Sequence, residues 1–187
     1  MLRVRRPSES EIERLLGEAR EAGPTYPEVG ATRDARLPAG YRHDSYERRL
    51  GPGEEVFGRA VAALRWQAQI GAGARVFPHG AQVADGSTVV LLIRVGGLLA
   101  PLPCRVVYVD ESPGGFAFAY GTLPGHPEQG EVAFRIGSSA GSDEVCFRIV
   151  SFSRPVDPLA RLASPIARLI QQRVTRRYLS AIAEASS

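Results

Sequence analysis

The sequence contains no lysine and no asparagine, and only one methionine, one tryptophan and two cysteines. The lack of lysine excludes Schiff-base and lysine-nucleophile chemistry, so any acid–base step must rest on histidine, a carboxylate or tyrosine. Cys104 and Cys146 sit in strand-like segments and form neither a metal-ligand spacing nor a disulfide framework. A reduced, cytoplasmic protein is the expectation. The longest apolar run, residues 88–93, falls far short of the roughly 20 residues that a spanning helix needs, so no transmembrane segment is expected. The Arg-rich opening leads into an acidic helical pattern rather than an apolar stretch, so no secretory signal is expected either. A phosphate loop, a dinucleotide fingerprint and a Gly-x-Ser-x-Gly elbow are missing. No cluster of His, Cys and carboxylates has metal-ligand spacing. The expectation is therefore no metal and no cofactor.

What is present is a globular composition, 44% hydrophobic and 23% charged over 187 residues. All 23 basic residues are arginine, and the formal charge is +3. The excess is unevenly placed. Residues 154–187 carry six arginines against Asp157 and Glu184, whereas residues 1–153 carry one more acid than base. A basic terminal helix raises the alternative of an anionic surface as partner. Only Tyr178 interleaves with those arginines, which argues against nucleic acid. The other reading is a solvated outer face on an amphipathic helix.

Along the chain, Ser8-Glu9-Ser10-Glu11 predicts a capping box opening a helix to about residue 22. A Gly/Pro-rich connector follows to residue 40. A strand is predicted over 41–50 and a second helix over 54–69. Six strands are then predicted at about 75–83, 88–95, 103–110, 115–122, 131–136 and 144–153, separated by turn residues. A last helix is predicted from Asp157 to about residue 183, kinked at Pro165. Short turns imply antiparallel pairing. The order is α+β: a seven-stranded curved antiparallel sheet gripping a long C-terminal helix. The expected division is an N-terminal helix and connector over 1–39 and the main domain over 40–187.

Strand alternation predicts an inner face carrying Val106, Tyr108, Phe116, Phe118, Tyr120, Phe134, Ile136, Phe147 and Ile149, with Arg105, Arg135 and Arg148 outside. Such an aromatic face is either core beneath the helix or the wall of a cavity; composition alone leaves both open. The most unusual segment is Tyr120-Gly-Thr-Leu-Pro-Gly-His-Pro-Glu-Gln-Gly-Glu131, which gathers one imidazole, two carboxylates and two hydroxyls in a Pro- and Gly-constrained loop. Here His126 is a candidate general acid or base, Glu128 or Glu131 its orienting partner, and Tyr120 an oxyanion donor. The alternative is that these groups tie down their own loop. Arg154, after the last strand, is a candidate anion clamp, and Trp66 a core residue or pocket lid.

At these residues the chain resembles a bacterial and plant family named only as a domain of unknown function. The resemblance is carried by the 120–131 run, Ser153-Arg154-Pro155, residues 26–32, Gly40-Tyr41-Arg42 and Arg105-Val106-Val107-Tyr108, and spans about residues 26–183. It supplies no activity. The element order is similar to the helix-grip superfamily of START-like lipid carriers, pollen allergens and polyketide cyclases. That resemblance implies a cavity for a hydrophobic small molecule or lipid, with Trp66, Tyr108, Phe116, Phe118, Tyr120, Thr122, Phe134, Phe147 and Arg154 as ligand-binding candidates. A cyclase, dehydratase or isomerase working through His126, Glu128, Glu131 and Tyr120 is the alternative, and an anionic-surface protein the second.

Overall fold

A computed structural model describes residues 7–65, 67–71, 73–95, 98–138, 142–156 and 164–186. Its elements are α1 (Glu9–Glu21), a 3₁₀ turn (Ala31–Arg33), β1 (Arg42–Pro52), α2 (Glu54–Leu64), α3 (Gln67–Gly71), β2 (Arg75–Phe77), β3 (Thr88–Val95), β4 (Leu98–Ser112), β5 (Gly115–Thr122), β6 (Glu128–Ser138), β7 (Glu144–Pro155) and α4 (Ser164–Ser186). The strands form one curved antiparallel sheet of seven, in the order β1-β7-β6-β5-β4-β3-β2. Every neighbour except β1 with β7 is joined by a local connection, as hairpins require. The sheet wraps α4, with α2 and α3 beside it, which is the helix-grip arrangement.

Several boundaries differ from the sequence expectation for identifiable reasons. The second helix divides into α2 and α3. β2 stops at Phe77 because Pro78 has no N–H for the ladder. β6 begins at Glu128, inside the Pro/Gly-rich loop. The predicted helix start at Asp157 lies outside the described residues. Pro165, expected to kink the helix, stands in the first turn of α4, where a missing N–H costs little.

The inner core stacks Phe118 on Phe134 (5.2 Å between centroids) and Phe134 on Phe147 (6.4 Å), and Tyr178 of α4 meets Phe134 edge-on at 5.8 Å. Ile182, one turn further along α4, is fully buried. On the outer face, α1 buries Ile12 and Leu16 against Phe77, Val90 and Leu92. Each such side chain contributes roughly 1.5–3 kcal/mol. The helix begins at the expected capping box: Ser8 Oγ accepts from the Glu11 N–H (3.2 Å) and Glu11 Oε2 from the Ser8 N–H (2.8 Å). Its C-terminal carbonyls, Ala19 and Arg20, accept from Arg105 Nη2 at 2.8 and 2.9 Å. Thus the outer arginines are where alternation put them, but Arg105 and Arg135 (which donates to Thr32 O) tether the N-terminal segment, and Arg148 pairs with Glu47 of β1.

Tyr108 is a correction. The β4–β5 register slips between Val106 and Tyr108, so Val106 faces the inner core and Tyr108 the outer face. A bulge adds one residue, and with a side-chain period of two that flips everything beyond it. Tyr108 packs with Ala119 and Ala133, and the Arg33 guanidinium lies 3.9 Å above its ring.

Candidate functional site

The cross-strand register orders the inner face into rows. The row nearest the 120–131 loop pairs Arg42 with Ser153 and Ser153 with Gly130, and continues through Thr122 to Cys104. The next runs Asp44, Ser151, Val132, Tyr120 and Val106. The third runs Tyr46, Ile149, Phe134 and Phe118. Aromatic rings fill the space under the helices at the third row. In the first two rows the side chains are mostly small or polar, and they leave room. A cavity of about 190 Å³ lies there, lined by residues of all three rows together with Leu91, Ile93, Leu102 and, from α4, Thr175 and Tyr178. Its chemistry is graded, polar toward the loop and apolar toward the core.

The loop builds the polar end. Gly125 takes a positive φ of 92°, and the N–H of His126 donates to Leu123 O at 3.1 Å. Leu123 is fully buried and its N–H donates to Pro103 O at 3.1 Å. Gly130 (φ 145°) has no room for a side chain, since a Cβ there would lie 2.0 Å from Phe152 O. Its N–H donates to Thr122 Oγ1 (3.1 Å), which also bonds Thr25 Oγ1 at 2.7 Å. The half-buried His126 is oriented by the Glu128 backbone: the Glu128 N–H lies 3.0 Å from Nδ1, and Glu128 O lies 2.9 Å from it. In the tautomer where Nδ1 accepts, Nε2 keeps the proton. Desolvation lowers the imidazole pKa from 6.5 to about 4, so it is neutral near pH 7.

Across the cavity, Arg42 Nε pairs with Asp44 at 2.9 Å, and Arg42 Nη2 reaches Ser153 Oγ at 3.3 Å. The Tyr120 and Tyr178 hydroxyls bond each other between β5 and α4. Burial pushes the Tyr178 phenol up to about 12 and raises Tyr120 and the Cys104 thiol as well. The inner part of the cavity is therefore uncharged near neutral pH.

Of the residues singled out from sequence, Tyr120, Thr122, His126 and Glu128 line the cavity. Phe116, Phe118, Phe134 and Phe147 do not; they are the packed core beside it, each at most 3% exposed. Trp66 lies outside the described residues. Arg154 faces outward, because β7 alternates and its inward positions are Ile149, Ser151 and Ser153. Its guanidinium lies 4.6 Å above the Tyr41 ring and its Nε donates to Gln129 Oε1 at 3.1 Å. Glu131 borders the cavity, but its carboxylate does not orient His126. It accepts from the Tyr26 hydroxyl (2.7 Å), the Gly30 N–H (2.7 Å), the Thr32 N–H (3.0 Å) and the Thr32 hydroxyl. That buried carboxylate is the latch holding the connector to the sheet.

Sequence reasoning missed Arg42, Asp44, Ser151, Ser153 and Tyr178. Part of the signal was there: along β7 the inward positions change from Phe147 and Ile149 to Ser151 and Ser153, an apolar face turning polar at one end. Among the described residues no helix is long and apolar enough to cross a membrane.

Comparison with known proteins places the chain. A "UPF0548 protein" from Deinococcus radiodurans is 33% identical over 204 residues, covering 100% of this chain and 99% of the relative. One from Arabidopsis thaliana is 31% identical over 139 residues, 71% of this chain and 67% of the relative. Among solved structures, a hypothetical protein from Helicobacter pylori superposes with a TM-score of 0.57 at 11% identity, covering 88% of this chain and 96% of its own. An aromatase/cyclase from Streptomyces sp. R1128 gives 0.51 at 14% identity, covering 78% and 93%. These structures share the fold. Residues 25–181 match the family described as "Domain of unknown function (DUF1990)", and the chain belongs to that family.

Proposed function

We propose that the protein binds a hydrophobic or amphipathic small molecule in the cavity between the sheet and α4. The observation that carries this reading is the graded cavity itself, with apolar walls toward the core and a polar end built by the 120–131 loop, Arg42, Asp44 and Ser153. Apolar burial supplies affinity, and a few placed polar groups supply orientation. A volume of about 190 Å³ suits a single ring or short chain; an engineered cavity of about 150 Å³ holds benzene. A larger lipid would require α4 to move outward. In this reading residues 40–187 form the ligand-carrying body and residues 1–39 brace its outer face, in a cytoplasmic protein. The test is native mass spectrometry of freshly purified protein, followed by thermal-shift titration with the released compounds. A ligand at 100 times its Kd stabilises by about 2.7 kcal/mol, which is several degrees at this size. No bound species and no shift with any aromatic or lipid ligand would overturn the reading.

An acid–base enzyme in the same cavity is the second reading, favoured by the placement of His126 in the wall. An imidazole with a pKa near 4 is a poor general base at neutral pH but a sound neutral hydrogen-bonding group. The binding role therefore fits it better.

A further inference from the structure

Gln69 is a buried polar residue whose hydrogen bonding the fold leaves incomplete. It is fully buried in α3, and apart from the Tyr120 hydroxyl its amide has no hydrogen-bond partner among the described residues. Buried amides with donors or acceptors left unanswered are costly and rare. α3 is packed tightly where it meets α4: a Cβ at Gly71 would lie 2.7 Å from Ala181 Cβ. The Gln69 amide bonds the Tyr120 hydroxyl, which also bonds Tyr178, and both tyrosines line the cavity. Around them the walls are Leu91, Leu102, Cys104 and Ile149.

We propose that Tyr120 and Tyr178, backed by the Gln69 amide, form a recognition site for an uncharged hydroxyl carried on a small apolar ring. The inference rests on the cavity reading above and adds the ligand's chemistry to it. Two phenols and an amide offer both donors and acceptors, which a hydroxyl can answer in both senses. A carboxylate or ammonium would meet no free counter-ion beside the two tyrosines, because the Arg42 guanidinium is already paired with Asp44. An unsubstituted ring would leave the polar groups unanswered, which is how such sites reject analogues lacking the hydroxyl. Gln69 acts here as a positioning residue, and the tyrosines make the contact.

Isothermal titration of the full chain with toluene, phenol and benzoate at pH 7 tests this. Phenol is expected to bind at least about tenfold more tightly than toluene, and benzoate more weakly than either. Tyr178→Phe should reduce the phenol-to-toluene preference to within about twofold, and Gln69→Met should reduce it at least about threefold with toluene affinity unchanged. A merely structural role for Gln69 would move both affinities together. Equal binding of phenol and toluene, or an undiminished preference in both variants, overturns the inference while leaving the cavity reading intact. If neither toluene nor phenol binds, the cavity reading fails as well.

Discussion

The Glu131 latch makes a quantitative prediction. The carboxylate is 3% exposed and accepts four hydrogen bonds from one short stretch of connector. In Glu131→Ala the Tyr26 hydroxyl and the Thr32 N–H lose their partner in a buried setting, and the Gly30 N–H loses its own in a half-buried one. Each buried donor left unanswered costs roughly 1–3 kcal/mol, and bonds to a charged acceptor are worth about 1.5–3. Water can reach the Gly30 side, so the terms do not add fully. A loss of about 4 kcal/mol is expected, at the upper end for one substitution. With an m-value of about 2 kcal/mol/M, the urea midpoint followed by circular dichroism should fall by about 2 M. Glu131→Gln keeps one acceptor oxygen but turns an amide toward the donors, and should lose about half as much. Hydrogen exchange at the Gly30 and Thr32 amides should accelerate in both variants. A midpoint within about 0.5 M of wild type, with those amides still protected, would refute the latch.

Three further outcomes follow from the same geometry. Gly121→Ala places a Cβ 2.0 Å from the Tyr26 hydroxyl oxygen, so it should dislodge that ring and cost about 2 kcal/mol; an unchanged urea midpoint would contradict this. His126 has a folded-state pKa near 4 against 6.5 for the free group, so the unfolded chain takes up the proton first. Stability is then fully present above about pH 6.5 and falls between there and pH 4, by up to about 3 kcal/mol. His126→Gln should flatten thermal melts across that window, and an identical pH slope in the variant would count against the assignment. Phe134→Ala should cost about 3–5 kcal/mol, because the ring stacks on Phe118 and Phe147 and meets Tyr178, and a guanidinium chloride titration measures it.

The sequence was most legible where one period governs one element. The Ser8–Glu11 capping box, the strands with their turns, and the inward run of Phe116, Phe118 and Tyr120 all follow from local rules. Arg105, Arg135 and Arg148 were assigned to the outer face by the same alternation. It failed at Tyr108, where one inserted residue in β4 reverses the face. It was incomplete at Arg154, which belongs to the outward set once β7 is extended to Pro155.

The candidate site was legible only in part. Tyr120, Thr122, His126 and Glu128 could be found because they share one constrained loop. Arg42, Asp44, Ser151 and Ser153 come from β1 and β7, which are distant in sequence and adjacent only through the sheet order. Glu131 looked like a partner for His126 because they are close in sequence, but a residue on the opposite side of the pleat serves a different face.

By itself the sequence determined the elements, the antiparallel sheet around a terminal helix and the exclusion of lysine chemistry, since these depend on residue type and short-range periodicity. The tertiary structure alone decided which aromatics became filled core and where space remained. That division depends on side-chain volumes meeting across four strands and a helix: Phe118, Phe134 and Phe147 close one end, and Ser151, Ser153, Gly130 and Cys104 leave the other open. No single segment carries that information.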